Sequence, residues 1–275
     1  EGRGGNWEPV LSVPDARPLF PREIPPLQST PVTEFRQILR PGNSTLIVFD
    51  DYVFVRGEYR FRGNGKVTLR WTESLYRPGT FQRPSLVGDK GNRAEFEGKE
   101  WIGNGTEIEL DGEPVRWFDC WRQAGRYLLL EFTGSAELEE VKFRSVGYPW
   151  QQEWRAKTAE PELDRVLNLA WHTLEMCSAD TFMDCPFFEQ MQYISDTRLE
   201  ALVALVTTRD TRLLRNALTQ FADSRYPCGM IPSRTPSRVA QVIPSFALIY
   251  ILMLRDLAEW RGRAEILPWI DCARG

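Results

Sequence analysis

One histidine, His172, serves the whole 275-residue chain. A Ser-His-Asp triad or a multi-histidine metal site therefore has almost no material to work with. The five cysteines, Cys120, Cys177, Cys185, Cys228 and Cys272, are odd in number, scattered, and include no CxxC pair. That argues against a disulfide framework or a zinc site and for buried free thiols. Positive charge is also short: 34 basic residues face 38 acidic ones, for a net charge of -4. A nucleic-acid binder would need a basic face, so nucleic acid is not an expected partner. The longest apolar run, Phe246 to Leu254, is far too short to span a membrane. With histidine nearly absent, acid–base chemistry falls mostly to carboxylates, and neither a metal nor a cofactor is expected.

The residues present describe a folded, aromatic-rich protein. Hydrophobic residues make up 42% and charged residues 26%, enough for a sizeable core. The length suits two domains of ordinary size. Ten tryptophans are a rich supply of rings for cores and for sugar or small-molecule sites. The opening EGRGG lacks Met and a leader-like charged-then-apolar pattern, and the closing DCARG is not a natural-looking stop. A processed or excised fragment is expected. Localisation stays open between cytoplasm and export, and homo-oligomerisation stays open too.

Three regions follow one another. Residues 1–30 are proline-rich and read as an extended linker or wrapping segment. Residues 31–150 read as β-structure: STLIVFDDYVFV, KVTLRWTE with Val67, Leu69 and Trp71 on one face, YLLLEFT and VKFRSV. The turn signals RGNGK, VGDKGN, GNGT and LDGE separate them, predicting an antiparallel β-sandwich. Asn43-Ser44-Thr45 and Asn104-Gly105-Thr106 match the glycosylation sequon and are read as turns. Trp71, Trp117 and Trp121 fit packing better than carbohydrate binding.

Residues 151–275 change to a helical period. Pro161 opens a helix whose stripe is Leu163, Val166, Leu167, Ala170, Trp171 and Leu174, and His172 sits inside it in a structural role. A second helix carries Leu199, Leu202, Val203 and Val206. A third carries Leu214, Ala217, Leu218 and Phe221, with Asp210 as N-cap. A fourth runs from Pro244 to Trp260, stops at Gly262, and is apolar all round, predicting burial between other helices. Four helices would struggle to cover these faces, so the region looks like the start of a larger helical domain.

Between the first two helices lies DCPFFEQMQYISD, with Asp184, Glu189 and Asp196 set among aromatic and sulfur-bearing residues. Cys185-Pro186 disfavours a helix there, so the stretch is a connection. Rings of Phe187 and Phe188 packed around Glu189 would favour its protonated form, as would two nearby aspartates. A carboxyl held protonated can donate a proton, and glycosidic hydrolysis needs such an acid plus a second carboxylate. Plainer roles fit the same residues. Asp196 can cap the second helix, Asp184 can cap the Cys185-Pro186 turn, and Glu189 can be solvated with the Phe pair turned to the core. Farther along, the loop SRYPCGMIPSRTPS offers Arg225 and Tyr226 as hydrogen-bonding or stacking groups, or is an ordinary surface loop.

Asp-Cys-Pro-Phe-Phe-Glu-Gln, followed by Tyr193 and Asp196, resembles the active-site signature of bacterial α-L-rhamnosidases, the inverting family with a six-hairpin (α/α)6 barrel. LDRVLNLAWHTLEMC, SRYPCGMIPS and IPSFALIYILMLRDLAEWRG are similar to the opening helices and loops of that barrel, and RYLLLEFTGSAELEEVKFRSVGYP to the last strands of the preceding sandwich. The likeness spans about residues 35–270. It implies Glu189 as general acid, with Asp184 and Asp196 holding the sugar and Arg225 and Tyr226 facing the substrate. It implies an oligosaccharide or rhamnosylated glycoside as substrate. The family's general base is a glutamate of a later loop, expected beyond residue 275, so this chain alone is expected to turn over little or nothing. The commoner signature carries Arg-Asp-Glu-Arg where Phe-Phe-Glu-Gln stands here, which leaves Glu189 without nearby cations. Sugar specificity then stays open between rhamnose, fucose and arabinose, and a non-catalytic carbohydrate-binding protein is the other reading.

Overall fold

A computed structural model describes residues 21–82, 87–103 and 105–274, together with Leu11. Most of the proline-rich opening segment and Asn104 of the second sequon lie outside the described residues. The β region holds six strands: β1 (Gln28–Val32), β2 (Phe35–Arg40), β3 (Ser44–Thr72), β4 (Thr106–Phe118), β5 (Gln123–Phe132) and β6 (Glu137–Gly147). All pairings are antiparallel, and all six strands belong to one hydrogen-bonded sheet.

The sheet curls because β3 is 29 residues long and is bonded on both sides of one neighbour. Leu130 of β5 faces Thr45 on one flank and Leu69 on the other, both from β3. The middle of β3 pairs with β6, from Val55 opposite Ser145 to Arg62 opposite Glu137. RGNGK and LDGE do not form the turns their composition suggests. They face each other as an irregularity in the β3–β4 ladder, with Gly63 opposite Gly112 and φ of +93° and +100°. Two left-handed glycines let both strands bend without breaking the pairing. A Cβ at Gly63 would also lie 2.0 Å from the Ser135 carbonyl oxygen, so a side chain cannot be added there.

Curling closes the sheet over its own apolar face. Ile47, Phe49, Tyr59, Phe61, Val67, Leu69 and Phe143 are buried there, and Trp71 stacks on Phe49 at 5.5 Å. Trp71 and Trp117 thus pack into the sheet interior, whereas Trp121 is 57% exposed. The chain turns at residues 41–43, with Asn43 at φ +54°, as the first sequon predicts.

The helices are α1 (Pro161–Met176), α2 (Ile194–Thr207), α3 (Arg212–Asp223) and α4 (Pro244–Arg261), followed by a 3-10 turn (Arg263–Trp269) and α5 (Ile270–Arg274). Pro161 occupies the first turn of α1, and Gly262 ends α4 at φ +105°. The apolar face expected for α3 is buried as read: Leu214, Ala217, Leu218 and Phe221. Asp210 lies one residue outside the N-cap, Thr211, and accepts the Arg212 amide at 3.0 Å on the same carboxyl oxygen that accepts the Arg212 Nε at 2.9 Å.

Other stripes are placed differently. In α1 only Leu174 is buried, and Leu163, Val166 and Leu169 are 46–63% exposed. In α2 the buried set is Ile194, Thr197, Ala201, Ala204 and Leu205, while Leu199 and Val206 face outward. The middle of α4 is not enclosed either, with Leu248, Ile251 and Leu252 exposed beside buried Tyr250, Met253 and Leu254. Periodicity identifies an apolar face; which face is covered depends on the neighbours present. The cysteines likewise differ from a uniformly buried set: Cys177 is buried, and Cys120 and Cys228 are exposed.

Sheet and helices meet through a small apolar cluster. Phe54 and Ala124 of the sheet pack on Ala179 and Met183, with Tyr52, Met176 and Phe187 around them. Beside it His172 of α1 lies between Asp51 of β3, at 3.6 Å, and Glu175, at 3.9 Å. These contacts set the position of the segment that follows α1.

Candidate active site

The connection from α1 to α2 is built as a closed loop. Asp184 donates its amide to the Met191 carbonyl and accepts the Met191 amide on Oδ1, both at 2.9 Å. Inside this clasp the Cys185 carbonyl accepts the Gln190 amide at 3.1 Å, and Cys185 Sγ accepts the Glu189 amide at 3.2 Å. Gln190 turns the chain at φ +54°, and its own side chain donates to the Pro186 carbonyl at 2.7 Å. Asp184 therefore does close the loop through its side chain, but onto Met191, seven residues on from itself, and not onto the Cys185-Pro186 turn.

The two phenylalanines divide. Phe187 packs into the sheet–helix cluster, and Phe188 is 61% exposed with its ring edge-on to Phe187 at 4.7 Å. Glu189 follows it and is exposed. The expected apolar jacket around Glu189 is thus corrected: the loop turns Phe187 inward and carries Phe188 and Glu189 to the surface. An oxygen of Asp184, an oxygen of Glu189 and Cys185 Sγ lie within 4.8 Å of one another. Close approach of that kind also suits a cation, but no metal is assigned.

A cation does reach Glu189, through Tyr193. Arg234 donates from Nη1 to the Tyr193 hydroxyl oxygen at 3.0 Å, and Glu189 acts electrostatically on the same Tyr193. Burial raises the Tyr193 pKa, Arg234 opposes the rise, and Glu189 adds to it. Arg234 comes from the loop after α3, where Tyr193 and Arg234 form an isolated β-bridge. Nothing local in the sequence marks Arg234 among the loop's polar residues. Arg225 is exposed and Tyr226 half-buried on the same loop. Among the described residues neither makes a hydrogen bond or ion pair to Asp184, Glu189 or Asp196, and Arg225 instead acts on Cys272.

Asp196 lies in the first turn of α2, two residues inside the helix, so it is not the N-cap; Tyr193 is, with no side-chain cap bond. A carboxylate in the first turn is still favoured by the exposed amides of the helix start. Burial raises its pKa, and Asp184 adds to the rise. One turn deeper stands Glu200, a residue that sequence reading passed over. The i, i+4 spacing from Asp196 is the signal that could have found it. Its Oε2 is buried without a hydrogen-bond partner. Burial raises its pKa well above the carboxylate range, Asp196 and Asp184 push the same way, and the Cys177 thiol and Met183 amide oppose. Asp184 thus joins two groups of carboxyls, Glu189 at the surface and Asp196 with Glu200 behind it.

A raised carboxyl pKa stabilises the protonated folded state, so the contribution is complete at low pH and is lost as pH rises through the folded pKa. Glu200→Gln should therefore flatten the decline of Tm with rising pH above the ordinary glutamate range and raise Tm at alkaline pH. Melting curves of both proteins across pH check this, and parallel profiles would refute it.

Residues 152–270 match the family model described as bacterial alpha-L-rhamnosidase 6 hairpin glycosidase domain. The match falls on the helical region. The structure is similar to a rhamnosidase from Klebsiella oxytoca with rhamnose bound, at TM-score 0.68 and 18% identity, covering 90% of this chain and 55% of that one. It is similar to a GH78 family rhamnosidase of Bacillus sp. GL1, at TM-score 0.68 and 21% identity, over 88% of this chain and 25% of that one. A Streptomyces avermitilis α-L-rhamnosidase complexed with L-rhamnose aligns at TM-score 0.64 and 16% identity, over 90% of this chain and 24% of that one. The chain therefore spans 55% or less of the length of these three relatives. A comparison with curated proteins finds no match. At such identities the solved structures establish a shared fold: a curled antiparallel sheet followed by helices.

Proposed function

We propose that this chain is part of a glycoside hydrolase that removes terminal α-L-rhamnosyl groups by inversion, with Glu189 as the general acid. The observation that carries the reading is the convergence of carboxyls on Asp184 where the sheet meets the helices. Glu189 lies on the open side near Tyr193, while Asp196 and Glu200 stand in the partly buried interior. Asp184 and Asp196 are proposed to bind sugar hydroxyls, with Arg225 and Tyr226 as outer contacts. An inverting mechanism needs a second carboxylate about 6.5–9.5 Å away to activate water. We place it in sequence beyond residue 275, because this chain covers only 24–55% of the relatives.

By the same reasoning the β region (31–150) is proposed as a sandwich domain, preceded by a linker over residues 1–30. Residues 151–275 are proposed as the first part of an (α/α)6 barrel. The exposed leucines and isoleucines of α1, α2 and α4 support this, since further hairpins would cover them. A panel of aryl glycosides given to the full-length enzyme tests the sugar, and proton NMR of the first product formed tests the stereochemistry. Release of β-L-rhamnose is expected. Preference for a fucoside or arabinoside would overturn the sugar assignment, and first release of the α-anomer would overturn inversion.

A further inference from the structure

Two exposed aromatic rings flank Glu189, and both are tied to the β-sheet. Trp121, in the loop between β4 and β5, is 57% exposed, and Phe188 is 61% exposed. Trp121 donates from Nε1 to Gln190 Oε1 at 2.6 Å, so the ring stands beside the residue that follows Glu189. The Arg122 guanidinium backs the Trp121 ring at 4.7 Å. Arg122 is itself fixed: its side chain is 7% exposed and pairs with Asp180 at 2.9 Å. On the other side, Lys90 lies 5.1 Å from the Phe188 ring and pairs with Glu73 at 3.0 Å. Both rings are therefore held in place while keeping open area, the condition under which aromatic side chains bind at low entropic cost.

We infer that Trp121, with Phe188, forms the leaving-group wall of the site, taking an aryl group or the flat apolar face of a second sugar. The inference rests on the acid role proposed for Glu189. A general acid protonates the glycosidic oxygen, so it must stand at the leaving-group side of the broken bond. Residues flanking the acid toward solvent then meet the leaving group, while the half-buried Asp184 and Asp196 meet the sugar that is released. The sheet domain thus contributes substrate contact, and Trp121 is a specificity-determining residue rather than packing between domains.

The test uses the full-length protein carrying Glu189→Gln, so that ligands are bound without being consumed. Methyl and 4-nitrophenyl 1-thio-α-L-rhamnoside, whose thioglycosidic bond resists cleavage, are titrated calorimetrically into this background and into double variants with Trp121→Ala or Trp121→Phe. Trp121→Ala is expected to weaken the aryl ligand about three- to ten-fold, the range of one aromatic contact, and to leave the methyl ligand unchanged. Trp121→Phe keeps a ring but loses the bond to Gln190, and should retain most of the aryl affinity. An unchanged aryl-to-methyl ratio in Trp121→Ala would overturn the wall. Equal losses in both Trp121 variants would do so too, since the residue would then act through Gln190. Failure of the underlying reading looks different: neither ligand binds, or Glu189→Gln still hydrolyses methyl α-L-rhamnoside, whose leaving group needs the acid, at the parent rate.

Discussion

Glu189→Gln in the full-length enzyme is expected to lower kcat on a rhamnoside with a poor leaving group by about 10²- to 10⁴-fold, the usual contribution of a positioned proton donor. Glutamine keeps the shape but has no acidic proton to give. The loss should shrink for 4-nitrophenyl rhamnoside, whose leaving group needs little protonation, and rhamnose affinity should hold. Rates for an alkyl and an aryl substrate, measured side by side, separate this from a general loss of folding. A uniform loss on both substrates would point away from the acid role. The surface position of Glu189 bears on the outcome. Its neighbours there are Asp184 and Cys185, with ligand atoms within 4.8 Å, and the Tyr193 that Arg234 binds.

Arg198→Ala is expected to destabilise the protein by about 3–5 kcal/mol, the cost of leaving one member of a buried ion pair alone. Arg198 lies on α2, two residues after Asp196, and donates from Nε to Asp256 of α4 at 2.7 Å. The two side chains are 28% and 10% exposed, so solvent screens Asp256 little. Removing the arginine strands that carboxylate among buried Met253, Leu254 and Leu257. Because α2 also carries Asp196 and Glu200, the variant should bind substrate more weakly even where it remains folded. Denaturant titration gives the stability, and a change below about 1 kcal/mol, the range of exposed pairs, would show that the pair is solvated. Arg198→Ala with Asp256→Ala should recover part of the loss, since no charge is then stranded.

Much of the architecture could be read locally. Pro161, the α3 stripe and Gly262 placed helix ends to within a residue or two because proline and glycine act through their own backbone geometry. The strand segments were legible from alternation, but their joining into one 29-residue strand was not. RGNGK and LDGE have turn composition, and only their facing each other across a ladder makes them bends in paired strands. In the site, Asp184, Glu189 and Asp196 stood out because three acids in an aromatic run are conspicuous. Arg234 and Glu200 did not, since an arginine in a polar loop and a glutamate in a helix are ordinary until the fold brings one to Tyr193 and buries the other behind Asp196.

The sequence by itself determined the chemistry available: one histidine, a signature that begins Asp-Cys-Pro, and a β half followed by an α half. These follow from residue type and short-range periodicity, which need no partner. Only the tertiary structure decided how that chemistry is arranged. It turned Phe187 inward and Glu189 outward, brought Arg234 to Tyr193 across 41 positions, and set Trp121 of the sheet against Gln190 across 69. Such pairings depend on how the chain folds back on itself, and neither side chain carries local information about the other.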